Sequence, residues 1–416
     1  MAGPYLLALS SPLRLMDDSV SYLARADGLP LPPGARRFPP GYSTLLDGLE
    51  HVGLGTPAGF VALNLVMLAI GLAAAYLLCR RVLRLEAVSS AGICLAVLLS
   101  HSASLFSASP MSDVPFFAVA MTCLVVLWLA GGKAGFGRYA LLGLAVALAA
   151  AGTSIRIQGI ALAPPILFVA FAGPARPPLS SRRSTGAVVG VAAFLVLAGA
   201  AVLFVRASSY PNVLGDWWRL GGGPLAVIDR WGTQVGTKLV SIGELATQTT
   251  CCGRISPALM PELALAGAAA LVPVALGLLG RRRLEFIEVF VLSTAAVIVV
   301  YQGAEARFWL PALPFLLAYG ALGAARMARW RPFRFALILY GAAFVAAGGV
   351  WLGDSIRLST AGDDFPRAWA GRVGAPIAAS YRVAYGRASP GDRRRAVPLA
   401  VELLRRHEPA TRGRGP

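Results

Sequence analysis

Long apolar blocks recur along the 416-residue chain and constrain its fold more than any other feature. One of them, FVALNLVMLAIGLAAAYLLC at 60–79, contains no charged residue. Blocks of this length are typical of transmembrane helices, because about 20 apolar residues cross the hydrocarbon core of a bilayer. Charged residues make up only 14% of the chain, against roughly a quarter in ordinary soluble domains. The sequence therefore predicts an all-α integral membrane protein.

About ten spans fit the apolar blocks and predict a multi-span helical bundle. They fall near 56–79, 87–108, 113–131, 139–153, 157–173, 185–205, 259–280, 284–301, 308–325 and 335–353. The fourth and fifth are short and lie close together, separated only by a few polar residues.

Three regions follow from this assignment. Residues 1–55 form an outer loop with an acidic motif and, at 43–51, a short interfacial helix. Residues 56–353 form the transmembrane core, which includes an outer loop at 206–258. Residues 354–416 form a basic C-terminal tail.

The net charge of +18 would suit a nucleic-acid-binding protein, but its distribution indicates otherwise. Arginine clusters such as those at 80–84, 281–283 and 326–334 fall in alternate short gaps between the apolar blocks. Clusters of this kind mark cytoplasmic loops. The charge distribution therefore predicts the topology of the chain, and no nucleic-acid partner is expected. It indicates a multi-pass protein of the bacterial inner membrane, with residues 1–55 and 206–258 on the outer face.

Two expectations concern what is missing from the sequence. The stretch YLLAL at 5–9 is too short for a signal sequence or a span. Either the helix that follows carries residues 1–55 across the membrane, or a first helix upstream is missing, and we favour the missing helix. The chain has three histidines, which argues against a His-rich metal site. No cofactor is predicted, and the sequence does not indicate a requirement for a divalent cation.

The predicted outer loop 1–55 contains adjacent acids, Asp17 and Asp18, followed by Tyr22. Such acids are usually just solvated loop residues. Here Arg37 and the motif FPPGY at 38–42 follow, and its double proline and glycine favour an extended segment and a turn. An ordered, acid-bearing loop on the bilayer surface is therefore a candidate site.

Three further charged residues lie at predicted outer helix ends. Asp113, in SPMSDVPFF, suits either a helix start or a site. Arg156, between two short spans, suits either a snorkelling side chain or a functional group at membrane depth. Arg307, in AEARFWLPALPFL, lies on the predicted outer face, where a guanidinium can hold a phosphate.

The predicted outer loop 206–258 contributes Trp218 and Arg230, within DWWRLGGGPLAVIDRW. Interfacial tryptophans are commonly lipid anchors, but sugars also stack on aromatic faces. Both interpretations stay open.

The order of these motifs resembles that of GT-C membrane glycosyltransferases, the family that includes dolichyl-phosphate-mannose protein mannosyltransferases and the aminoarabinose transferase of lipid A. Asp18 and Tyr22 match the family's acid and the aromatic residue four positions later. The proline element at 38–42, the acid Asp113 before a span, and Arg307 before a proline-rich span follow in the family's order. The chain departs from the family in lacking the helix that precedes the first acid.

The resemblance implies a GT-C-like bundle whose outer loops form the active site. It implies inverting transfer of a sugar from a polyprenyl-phosphate donor to an extracytoplasmic glycan, lipid or protein. Asp18, with Asp17 beside it, would be the catalytic base. Substrate would be bound by Tyr22, Arg37, Asp113, Arg156, Arg307, Trp218 and Arg230.

Two other functions remain open from the sequence. A transporter or flippase of polyprenyl lipids would show internal repeats and polar residues at mid-membrane, and neither is evident. A truncated, non-catalytic membrane scaffold would explain the absent first helix.

Overall fold

The computed structural model describes residues 2–31, 38–172, 224–249, 257–281, 284–300 and 305–408. Regular secondary structure in these ranges is helical, and no strand occurs within them. The prediction of an all-α fold is confirmed.

Among the described residues, five helices are long and apolar enough to cross a membrane, which confirms the predicted membrane class. They are α4 (Pro57–Arg81), α7 (Asp113–Gly131), α8 (Gly135–Ile155), α11 (Met260–Leu279) and α14 (Arg331–Ser359). A sixth candidate consists of α5 (Ala87–Leu99) and α6 (His101–Ser107), which meet at a bend of 60°. Shorter apolar segments lie at Ile157–Ala172, which includes α9 (Ala163–Ala172), at α12 (Phe286–Val300) and at α13 (Leu313–Met327).

The helices therefore coincide with predicted spans, but fewer of them have full spanning length. Each predicted span other than 185–205 overlaps one of these helices or helix pairs, and 185–205 lies outside the described residues. The described residues contain five or six full-length candidates, where the sequence analysis predicts ten spans.

Local sequence explains where the first long helix begins and ends. Thr56 precedes α4, and its side chain accepts a hydrogen bond from the backbone N–H of Gly59. Pro57 occupies the first helical position, where a missing N–H costs nothing. Arg80 and Arg81 lie in its last turn, where positive side chains interact favourably with the negative end of the helix dipole.

The predicted outer loop 206–258 contains a long helix that the hydropathy pattern does not reveal. This helix, α10 (Pro224–Thr247), packs against α11 and against the 3-10 helix Ala306–Trp309. Its buried face carries polar side chains, among them Lys238, Ser241 and Glu244. An apolar-block criterion misses such a helix because these polar side chains alternate with buried apolar ones such as Val240, Ile242 and Leu245.

The predicted basic tail folds into a small helical unit. After α14 come α15 (Phe365–Ala370), α16 (Ala375–Ala384), α17 (Pro390–Arg395) and α18 (Pro398–His407). Phe365, Trp369 and Tyr381 are fully buried among them. Residues 360–408, here called the C-terminal cap, thus have an apolar core beneath their basic surface.

The C-terminal cap fixes the segment that leads to the acidic motif. Trp369 Nε1 donates a hydrogen bond to the carbonyl of Leu15 at 3.0 Å, and the Leu15 N–H donates to Tyr381 Oη at 2.7 Å. Arg14 is 1% exposed and donates to Ser359 Oγ at 2.7 Å. Residues 13–15 are therefore held in place immediately before Asp17 and Asp18.

Candidate active site

The helix α2 (Asp17–Ala26) carries the acidic motif on its first turn. Carboxylates stabilise this end of a helix because they face the positive end of its dipole. Residues four apart share one helix face, so Asp18 and Tyr22 point the same way, as their spacing predicts. Asp17 is exposed and faces the C-terminal cap, where a Cβ on Gly374 would lie 3.8 Å from both its carboxylate oxygens.

Arg307 lies at the centre of the cluster and is only 7% exposed. Its Nη2 donates to Asp18 Oδ2 at 2.7 Å, and its Nε lies 2.5 Å from Glu305 Oε2. Its Nη1 lies 3.8 Å from Asp113 Oδ2. Burial alone would lower the pKa of Arg307, but the Asp18, Glu305 and Asp113 carboxylates hold it well above its usual value. The guanidinium therefore stays charged.

Asp113 is the first residue of α7 and is 2% exposed. Its Oδ1 lies 2.8 Å from Arg156 Nη1. Its Oδ2 is buried and has no hydrogen-bond partner among the described residues. Such an atom is costly to bury, so Asp113 Oδ2 faces the cluster as an available acceptor.

Ser112 precedes α7 but makes no side-chain capping bond. Its Oγ instead accepts a hydrogen bond from Arg156 Nη1 at 3.1 Å and lies 3.0 Å from Tyr22 Oη. Burial raises the pKa of Tyr22 to about 12, so its hydroxyl remains protonated. Ser112 thereby links α2 to the turn that carries Asp113.

Arg156 is 9% exposed, so the snorkelling interpretation of this residue is wrong. It lies in extended backbone between α8 and the 3-10 helix Ile157–Leu162. A Cβ on Gly159 would lie 2.3 Å from the backbone nitrogen of Thr153, which leaves room only for glycine there. This tight break turns the Arg156 side chain into the cluster.

Aromatic rings surround the charged groups. The guanidinium carbons of Arg156 and Arg307 each lie 5.3 Å from the Phe308 ring centroid, within cation–π distance. Tyr22 contacts Tyr42 edge-on at 5.1 Å and Phe38 at 5.3 Å, so both ends of FPPGY pack on α2. A helix, α3 (Gly41–His51), is present where a short interfacial helix is predicted at 43–51, and its placement at the interface stays a prediction.

The structure thus brings together five predicted site residues from four separate segments: Asp18, Tyr22, Asp113, Arg156 and Arg307. Asp17 lies beside this cluster, facing away from it. Arg37 and Trp218 fall outside the described residues, and the side chain of Arg230, on α10, is not described. The roles assigned to these residues stay predictions.

Sequence reasoning did not include Glu305, Ser112 and Phe308 among the site residues. Glu305 and Phe308 flank Arg307 closely in sequence, and Ser112 adjoins Asp113, so proximity to a predicted site residue is the signal that would have found them. Nothing in the sequence pairs them with partners on other segments.

The cluster's chemistry follows from its composition. Three carboxylates, from Asp18, Asp113 and Glu305, share two guanidiniums. A carboxylate can accept a proton, and a guanidinium can hold an anionic oxygen bidentately. Among the acids, Glu305 has the most exposed side chain at 41%, against 22% for Asp18 and 2% for Asp113.

Comparison with known proteins gives one structural similarity. No protein-family model matches the sequence, and no curated protein matches it. The chain is similar to the crystal structure of ArnT from Cupriavidus metallidurans in the apo state, at 16% sequence identity and a TM-score of 0.45. The match covers 99% of this chain and 73% of that one.

Proposed function

We propose that the chain is an integral membrane glycosyltransferase that moves a sugar from a polyprenyl-phosphate donor to an extracytoplasmic glycan, lipid or protein. The observation that carries this proposal is the contact of Arg307 Nη2 with Asp18 Oδ2 at 2.7 Å, inside a cluster that also holds Asp113 and Arg156. The cluster groups carboxylates with two guanidiniums, which supports a proton acceptor beside a phosphate-binding site.

The cluster's place in the bundle suits a lipid-linked substrate. Asp113 begins α7, and Arg156 directly follows the end of α8. Because α7 and α8 are consecutive spanning candidates joined by a short connection, the start of one and the end of the other lie at the same membrane face. Arg307 precedes α13 at this face too. A phosphate at headgroup depth would meet these groups.

Asp18 is the proposed general base. Its Oδ2 is held by Arg307, and no hydrogen bond to its Oδ1 occurs among the described residues. The acceptor hydroxyl gives its proton to Asp18 while its oxygen forms a bond to the anomeric carbon. The bond between that carbon and the phosphate oxygen breaks, and its electron pair stays on the phosphate. Attack opposite the leaving group inverts the anomeric centre.

Arg307 and Arg156 stabilise the departing phosphate. Charge develops on the phosphate oxygen as the bond breaks, and guanidiniums placed there in advance lower the barrier. Arg307 is engaged by carboxylates, so the phosphate must replace one of them. Glu305 is the most exposed of its partners and is the one we propose to be displaced.

The test is direct. Purified protein is incubated with several polyprenyl-phosphate sugars and candidate acceptors, and the products are identified by mass spectrometry. We expect donor consumption and a sugar-bearing product in the wild type and neither in Asp18→Asn. Transport of the labelled donor across vesicles without any transfer would contradict the proposal and favour a flippase.

A further inference from the structure

A second cluster of ionisable side chains lies where the N-terminal segment meets the end of the C-terminal cap. Asp27 directly follows α2, Glu50 lies on α3, and His407 is the last residue of α18. One ligand-type atom from each side chain lies within 4.8 Å of the others. The side chains of Asp27 and His407 are 3% and 7% exposed. None of the three belongs to the candidate active site.

The His407 ring is oriented by its backbone contact. Its Nδ1 lies 3.1 Å from the carbonyl oxygen of Gly55, which can only accept a hydrogen bond, so Nδ1 carries a proton. In the neutral ring, Nε2 then presents a lone pair. An imidazole with one nitrogen held by a backbone carbonyl and the other facing acidic groups is the usual arrangement of a metal-binding histidine.

The opposite nitrogen faces two negative atoms. His407 Nε2 lies 3.2 Å from Oδ1 and 3.2 Å from Oδ2 of Asp27. A lone pair directed at a carboxylate is repelled, so the contact holds either a proton on Nε2, which makes it an ion pair, or a metal cation. Ligand atoms around a tetrahedral zinc, each about 2.0–2.1 Å from the metal, are separated by about 3.3 Å. The two separations between His407 Nε2 and Asp27 are close to that spacing, and all three ligand-type atoms lie within 4.8 Å of one another.

Glu50 adds a second carboxylate to the cluster. Its Oε1 is buried and has no hydrogen-bond partner among the described residues. An acceptor buried in this way costs free energy unless something satisfies it. Two carboxylates and a neutral imidazole carry a charge of about −2, which one divalent cation balances. Arg406 Nη1, 3.7 Å from Asp27 Oδ2, is a nearby cation that lies outside this ligand set.

We propose that Asp27, Glu50 and His407 bind a divalent transition-metal ion of the zinc type, for which mixed imidazole and carboxylate ligands are suited. The ion fastens the last helix of the C-terminal cap to α2 and α3. Because α2 also carries Asp18, the ion holds the helix of the candidate active site in place. This inference is independent of the proposed function, since it needs no transfer activity.

The experiment uses the full chain, purified in detergent and stripped with a chelator. Zinc is titrated in and binding is measured by equilibrium dialysis. We expect one site per chain. Loss of an outer-shell partner typically weakens metal binding about 10- to 100-fold. Asp27→Asn and His407→Gln each remove a proposed ligand, so they should weaken zinc binding by more than this. Arg406→Gln is the matched control and should keep or tighten binding, because it removes a competing cation. Unchanged binding in His407→Gln, or no binding in the wild type, overturns the proposal.

A second measurement covers the case in which a variant folds poorly. Glu50→Gln changes the least buried ligand and should fold even if the other variants do not. Zinc should raise the thermal midpoint of the wild type, and chelator should reverse the increase, because the ion binds the folded state. The increase should be smaller in Glu50→Gln. If the thermal midpoint of the wild type responds to pH but not to zinc or chelator, the cluster holds a proton and not a metal ion. That result would overturn the metal site.

Discussion

Asp18 and Arg307 form an ion pair at 2.7 Å although 289 residues separate them. The contact joins the first turn of α2 to the 3-10 helix Ala306–Trp309. Arg307 is buried and Asp18 is partly exposed. The pair therefore presents a carboxylate to solvent from a rigid support, which suits a proton acceptor at a helix end.

The two adjacent acids should differ sharply in their effect on transfer. Asp18→Asn keeps the size of the side chain but loses its basicity, and loss of a general base typically costs about 10²- to 10⁴-fold in rate. Asp17 is exposed and faces the C-terminal cap, so Asp17→Asn should be mild. Initial rates of sugar transfer on purified variants measure both effects. An inactive Asp17→Asn beside an active Asp18→Asn would show that the base is assigned to the wrong residue.

Arg307→Lys should weaken both donor binding and turnover. Lysine keeps the charge but cannot hold two oxygens with one planar group, so ground-state and transition-state contacts are both lost. Donor KM should rise and kcat should fall. The control is Arg372→Lys, which breaks a two-point contact between Arg372 in the C-terminal cap and Asp354 on α14. Equal kinetic effects of the two substitutions would show that Arg307 acts only through stability.

Single and double substitutions of the Arg156–Asp113 pair can distinguish an effect on folding from an effect on activity. Both side chains are buried, so Arg156→Met alone or Asp113→Leu alone leaves an unpaired charge and should cost about 3–5 kcal/mol. The double variant removes both charges and should recover most of that loss in thermal unfolding. It should still lack transfer, because an acid and a phosphate-type cation are gone. A double variant that transfers sugar normally would limit the pair to a structural role.

Local features of the fold were readable from the sequence. Apolar blocks locate the spanning helices because the bilayer sets their length, and the four-residue spacing of Asp18 and Tyr22 places them on one face of α2. The helix α10, whose buried residues are partly polar, and the C-terminal cap were not predicted, because neither produces a long apolar block.

The site residues come together from distant segments through tertiary packing, which the hydropathy pattern does not reveal. The Asp18–Arg307 contact requires α2 to be anchored by the C-terminal cap, through Leu15 and Trp369, beside a turn that lies hundreds of residues away. The Asp27–His407 contact spans 380 residues and involves a chain with only three histidines. Such pairs have no sequence spacing to recognise.

Lys238 should make stability depend on pH. Burial lowers its pKa from 10.5 to about 8, so between these values the unfolded chain binds more protons than the folded one. The free energy of unfolding should therefore rise with pH from about 8 to 10.5 and be insensitive to this group at lower pH. Lys238→Met should remove that rise, and Lys133→Met, at an exposed position, should leave it. Thermal midpoints measured across this range compare the three proteins.

The last prediction concerns topology and uses single cysteines in a background without native ones. Thr44 lies on α3 and Arg81 ends α4, and both are exposed. The 25 residues of α4 extend about 37 Å as a helix, enough to cross a bilayer, so the two positions should lie on opposite faces.

In intact cells, a membrane-impermeant thiol reagent should label Thr44→Cys but not Arg81→Cys. Arg329→Cys, also exposed and in a predicted cytoplasmic cluster, should behave like Arg81→Cys. Permeabilised cells provide the control, because all three positions should then react. Labelling of Arg81→Cys or Arg329→Cys from outside would show that the basic clusters lie on the outer face. The acids and arginines of the candidate site would then face the cytoplasm, which contradicts an extracytoplasmic acceptor.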